Sequence, residues 1–151
     1  MDKINILKYK NIDINKIQIN DFNIKYDNLD FYIQSPIFYN YDIINHQNKK
    51  YLELKIDRNK LKHIKFLTLF DTLELKINNQ NNIKIKTQII TDIQNRKSIK
   101  VKLLDGDSST LIYDKNKNQV NNLISSKISL LLNIEFYKIY YSITAIQILQ
   151  L

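Results

Sequence analysis

"YLELKIDRNKLKHIKFLTLFDTLELKI", residues 51–77, changes its period part-way, and that change decides the fold. In the first seven residues Leu52, Leu54 and Ile56 alternate with Glu53, Lys55 and Asp57. Side chains alternate across a strand, so this predicts a strand with one buried face. Beyond it, apolar residues recur at Leu61, Ile64, Leu67, Phe70 and Leu73. That spacing of three predicts a helical stripe over 58–77, about five turns long. Asp57 or Asn59 is expected to cap its start.

Period-2 alternation governs most of the rest. "NIKIKTQII", 82–90, sets Ile83, Ile85 and Ile89 against Lys84, Lys86 and Gln88. "SIKVKLL", 98–104, sets Ile99, Val101 and Leu103 against Lys100, Lys102 and Leu104. Two strands are expected at 127–138 and 142–150, joined near "YYS", with others around 22–26, 31–39 and 110–114. The first 20 residues carry patchy Ile alternation and read as an edge strand or a mobile arm. "DGDSS", 105–109, holds the only glycine and reads as a hairpin turn; "DKNKNQVNN", 114–122, reads as a polar loop. No linker, repeat or second domain is visible. The expectation is one domain over 1–151, all-β, a small barrel or sandwich with one inserted helix near 58–77.

Hydrophobic residues are 44% of 151, enough for a sizeable core. Abundant Ile, Asn and Lys match AT-rich codons and point to a parasite, an organelle or a virus. No signal-peptide pattern opens the sequence, and no run of about 18 apolar residues exists to span a membrane. A soluble, intracellular protein is expected. The net charge of +8 is unevenly placed. Residues 1–45 hold five basic and six acidic groups, 46–102 hold fourteen and five, and 103–151 hold four of each. The excess therefore sits in the middle third. Either it is a solvated lysine-rich surface, or it is the footprint of a polyanion partner. Arg58 and Arg96 are the only arginines. Lysine meets phosphate as a point charge, whereas arginine forks onto base edges, so backbone tracking is favoured over sequence reading.

Catalytic and metal signatures are weak. No cysteine is present, so disulfides and Cys-based zinc sites are excluded. One glycine cannot supply a phosphate-cradling loop. His46 and His63 fit no metal spacing, and surface or packing roles suit them better. Ser108, Ser109 and Thr110 beside Asp107 have no nearby histidine. Asp105 and Asp107 resemble the start of a calcium loop but lack its later ligands. Carboxylates such as Asp57 and Asp71 could still converge in space.

"FYIQSPIFYNYD", 31–42, gathers five aromatic rings around the one proline. Proline removes a ladder donor and belongs at a sheet edge or bulge, which would re-aim the rings after it. Phe31 and Phe38 read as core. Tyr32, Tyr39 and Tyr41 are either packed rings with wetted hydroxyls or platforms for stacking bases. Tyr137, Tyr140 and Tyr141 pose the same choice.

The order "YIQSPIF", "YLELKID", "FLTLFDTLEL", "IKVKLL", "TLIYD" and a closing "YYSITAIQILQL" resembles the single-stranded-DNA-binding-like proteins of nucleocytoplasmic large DNA viruses. These are akin to phage-type single-stranded-DNA-binding proteins with an OB-fold. The resemblance covers about residues 30–151 and is one of layout more than of strict motif. It departs where that family's last hairpin carries Trp and Gly: here Phe136 or Tyr137 and Ser142 stand instead. The closing "ILQL" also lacks the acids through which phage-type binders recruit partners, which puts such recruitment in doubt.

The resemblance implies an OB-like fold and a non-catalytic, sequence-nonspecific binder of single-stranded nucleic acid without cofactors. Its setting would be viral replication or genome packaging, in a host cytoplasmic factory or the virion. Other viral proteins would be its further partners, and no membrane. The residues expected on nucleic acid are Lys55, Lys84, Lys86, Lys100, Lys102, Arg58, Arg96, Tyr32, Tyr39 and Tyr41. The alternatives are a virion or capsid-associated structural β protein and a small basic ribosomal protein of an AT-rich organelle.

Overall fold

The structure, a computed structural model, describes residues 4–106 and 109–151. Its backbone is a hairpin of two long strands, β11 (Ile128–Tyr137) and β12 (Tyr140–Gln150). On β11 the residues Ile128, Leu130, Leu132, Ile134 and Phe136 all face the core, as strict alternation demands. The hairpin turns at Lys138, whose φ of 60° is left-handed, and not at "YYS". Asp21 O accepts from the Lys138 N–H and braces that turn.

Around the hairpin stand β1 (Asn5–Lys8), β4 (Phe31–Gln34), β5 (Tyr41–His46), β6 (Lys49–Lys55) and β8 (Lys97–Leu103). The ladder runs β1–β4–β11–β12–β8–β6–β5. The pairing does not return from β5 to β1, so this OB-like all-β fold is an open sheet and not a closed barrel. Short β7 (Ile89–Thr91) pairs with β8, and β9 (Leu111–Tyr113) pairs with β12 and with β10 (Gln119–Val120). A second, two-stranded sheet joins β2 (Ile17–Ile19) to β3 (Ile24–Tyr26).

The one helix, α1, spans Leu61–Asn81, later than the expected 58–77. No side chain caps it; Asp57 accepts instead from the Asn59 N–H in the turn before. Its inner stripe is His63, Phe66, Phe70, Leu73 and Ile77. Leu61 is 67% exposed, and Ile64 and Leu67 are only partly buried. A strict spacing of three turns about 60° off the face at each step, whereas alternating threes and fours stay on it. Phe66 stacks edge-on against Phe38, Phe70 and Tyr9 at 5.5, 4.9 and 5.9 Å, joining helix to sheet. Lys76 Nζ donates to Ile14 O and Ile17 O, and Gln80 to Ile19 O, tying the N-terminal segment to the same helix.

Two expected features differ. Residues 83–88 form no strand; only Ile89–Thr91 pairs. The chain there is anchored from the side by α1, because Glu74 accepts from Thr87 Oγ1 and from the Gln88 N–H. The 105–109 stretch does not close a hairpin either: β8 and β9 each run parallel to β12, and 104–110 connects them. Asp107 and Ser108 of that expected turn lie outside the described residues.

Candidate nucleic-acid interface

Antiparallel pairing sets Tyr51 of β6 beside Lys102 of β8, and Glu53 beside Lys100. Leu52, Leu54, Ile99 and Val101 take the opposite face and are fully buried. Burial of that face forces Tyr51, Lys100 and Lys102 onto the other. The Lys100 ammonium lies 4.1 Å from the Tyr51 ring centroid, a cation–π contact that holds it across the sheet. The 86–88 segment closes the same space: Lys100 N–H donates to Gln88 O, and Gln88 Nε2 to Tyr141 O.

The result is an open groove of about 460 Å³. Lys49, Lys86, Lys100 and Lys102 bring four positive charges to it, and Glu135 one negative. Tyr51 lies in its lining, and Tyr137 and Tyr140, which pair across the β11–β12 turn, stand at its end. Tyr137 is 48% and Tyr140 71% exposed. Phe22 backs the Tyr137 ring at 5.8 Å. A ring held this way offers a flat face at little cost in side-chain entropy.

Of the sequence candidates, the groove gathers Lys86, Lys100 and Lys102. Lys84 is exposed but lies outside it, in the unpaired stretch after α1. Lys55 is ion-paired at 3.2 Å to both Asp42 and Glu53. Burial opposes its charge, yet the two carboxylates outweigh burial and raise its pKa. Arg96 donates to Asp92 at 2.7 Å within its own turn, and Arg58 is exposed in the turn before α1. Tyr32 is half-buried on β4 beside Ile6. Tyr41 faces the core side, opposite Leu54, and donates its hydroxyl to Ser125 O at 2.6 Å; burial pushes its pKa up. Tyr39 stands in a separate groove at the start of α1. Sequence reading overlooked Lys49 and Tyr51, although extending the parity of Glu53 and Lys55 backwards puts both on the outward face.

His46 is exposed at the end of β5. His63 is buried, accepting at Nδ1 from the Asp57 N–H and donating at Nε2 to Ile37 O, which fixes the neutral Nε2–H tautomer. Among the described residues no three His, Cys, Asp or Glu side chains gather to hold a metal ion. Likewise, none of the described helices is long and apolar enough to cross a membrane.

The fold has a solved counterpart. It is similar to the crystal structure of gp2.5, a single-stranded DNA binding protein encoded by bacteriophage T7. The match covers 79% of this chain and 85% of gp2.5, with a TM-score of 0.51. Identity to gp2.5 is 10%, so the likeness is one of fold. No protein family and no curated protein matches the sequence.

Proposed function

We propose that this protein binds single-stranded nucleic acid, without sequence preference and without catalysis, in the groove between β6, β8 and the β11–β12 turn. Lys49, Lys86, Lys100 and Lys102 meet phosphates. Tyr137 and Tyr140 stack bases at the groove's end, over a floor that includes Tyr51. The observation that carries this is the convergence of unpaired lysines and exposed tyrosine faces in one groove. That combination is what backbone tracking and sequence-tolerant stacking require. The β5–β6 and β11–β12 turns flank the groove, the kind of loops through which OB-folds take oligonucleotides. Similarity of fold to gp2.5 supports the same reading. The setting we propose is replication or genome packaging in a large DNA virus, in its cytoplasmic factory or virion, beside other viral proteins.

Stacking is tested by Tyr140→Ala, and by Tyr137→Ala, against oligothymidylate in fluorescence anisotropy. Each ring removed should weaken binding by about 1–3 kcal/mol. The loss should be similar for mixed-sequence strands, because every base has a flat face. Unchanged affinity in both variants would contradict the stacking role.

A further inference from the structure

The molecule has a second, larger groove of about 940 Å³, which shares no lining residue with the first. It runs between the end of β4 and the first turns of α1. Lys8, Lys10, Lys60, Lys62 and Lys65 ring it, and no aspartate or glutamate lines it. No ion pair among the described residues involves any of these five lysines. Like charges held this close repel one another, a cost that a bound anion would offset.

The exposed apolar groups here differ from those of the first groove. Most are aliphatic: Leu61 is 67%, Leu151 43% and Ile37 39% exposed. Two tyrosines also line the groove: Tyr9 is half-buried, edge-on against Phe66, and Tyr39, 42% exposed, has the Lys60 ammonium 4.4 Å from its centroid and Lys127 at 5.7 Å. Aliphatic knobs give a base nothing flat to stack on. Carboxylates joined to aliphatic side chains would satisfy both halves of the surface at once, the ammonium groups and the apolar knobs.

We propose that this groove docks an acidic segment of a partner protein, one that alternates carboxylate and aliphatic residues. Lys60, Lys62 and Lys65 pair with its carboxylates, and Leu61 and Ile37 receive its apolar side chains. The site is separate from the proposed nucleic-acid groove, so peptide and oligonucleotide bind together without competition.

The probe is a fluorescein-labelled peptide of alternating Asp and Leu, with an Asp–Ala peptide and oligothymidylate as comparators. The full chain should bind Asp–Leu more tightly than Asp–Ala. The combined variant Lys60→Glu, Lys62→Glu, Lys65→Glu should lose at least about tenfold in peptide affinity, since it reverses the charges facing the carboxylates. Its oligothymidylate affinity and melting temperature should hold, as these side chains sit outside the first groove and the core. Lys100→Gln with Lys102→Gln should show the reverse pattern. Leu61→Ser should weaken the Asp–Leu peptide alone. Failure of the native chain to bind the peptide, or an unchanged affinity in the charge-reversed variant, would overturn the proposal. So would loss of oligothymidylate binding in that variant with its melting temperature intact, which would make this groove a nucleic-acid surface. A failure of the nucleic-acid reading itself would appear separately, as absent oligothymidylate binding by the native chain while the peptide still binds.

Discussion

Lys100 and Lys55 sit one strand apart on the same face, yet their neighbours give them different fates. Lys55 is neutralised by Asp42 and Glu53, whereas Lys100 leans over the Tyr51 ring and keeps its charge unpaired. Glu53 shares Lys55's strand and face and is visible in the alternation, whereas Asp42 comes from the adjacent strand and is not. Tyr141 makes a sharper case at this scale. Its hydroxyl is buried beside the Glu74 carboxylate but makes no hydrogen bond of full geometry. Burial first, and the nearby Glu74 carboxylate second, push its pKa well above the usual 10.0. An unpaired buried hydroxyl costs roughly 1–3 kcal/mol, so Tyr141→Phe should leave stability unchanged or raise it. A loss beyond about 1 kcal/mol in a chemical melt would mean the hydroxyl is paired. The pH dependence has a definite sign. Tyr141 stays protonated in the fold while the unfolded chain ionises, so the unfolded state binds fewer protons above pH 10.0. Stability is therefore intact below that pH and falls as pH rises past it. Tyr141→Phe should flatten that fall, leaving the smaller contribution of Tyr41, which is shifted in the same direction.

Among the elements, α1 was legible as a helix but not in its phase. The expected stripe and the real one share Phe70 and Leu73, and they separate towards the N-terminus. Phe70→Ala should cost about 3–5 kcal/mol, since a large ring leaves a cavity beside Phe66. Leu61→Ala, on the exposed side, should stay within about 0.5 kcal/mol. Equal losses measured in urea titrations would restore the three-residue phase. The strands 98–104 and 127–138 were readable because each buries one face, which alternation records directly. The 82–90 stretch alternates just as well, yet only its end pairs, because Glu74 on the helix holds residues 87 and 88 by side-chain bonds. Hairpin closures were hidden for another reason. The β5–β6 turn uses Gln47 and Asn48 at φ of 51° and 63°, and the β11–β12 turn uses Lys138, all without the glycine that announces such turns.

For the molecule as a whole, the fold class was within reach of the sequence, while the lining of the candidate groove was only half visible. Lys86, Lys100 and Lys102 could be named because charge and parity are local properties. That Tyr140 would stand beside them depends on β12 lying parallel to β8, a pairing between residues far apart in the chain. The choice left open for Tyr41 turns on the register against β6, which sets it opposite Leu54 on the core side. The central claim is that the β6–β8 groove carries nucleic acid through phosphate contacts. Its most direct measurement is the salt dependence of oligothymidylate binding, for the native chain and for Lys86→Gln, Lys100→Gln, Lys102→Gln combined. Each phosphate contact on a single strand contributes roughly 0.7 to the slope of log affinity against log salt. The account predicts a slope shallower by about 2 in the triple variant, with the melting temperature preserved. A native slope and affinity retained in that variant would contradict it.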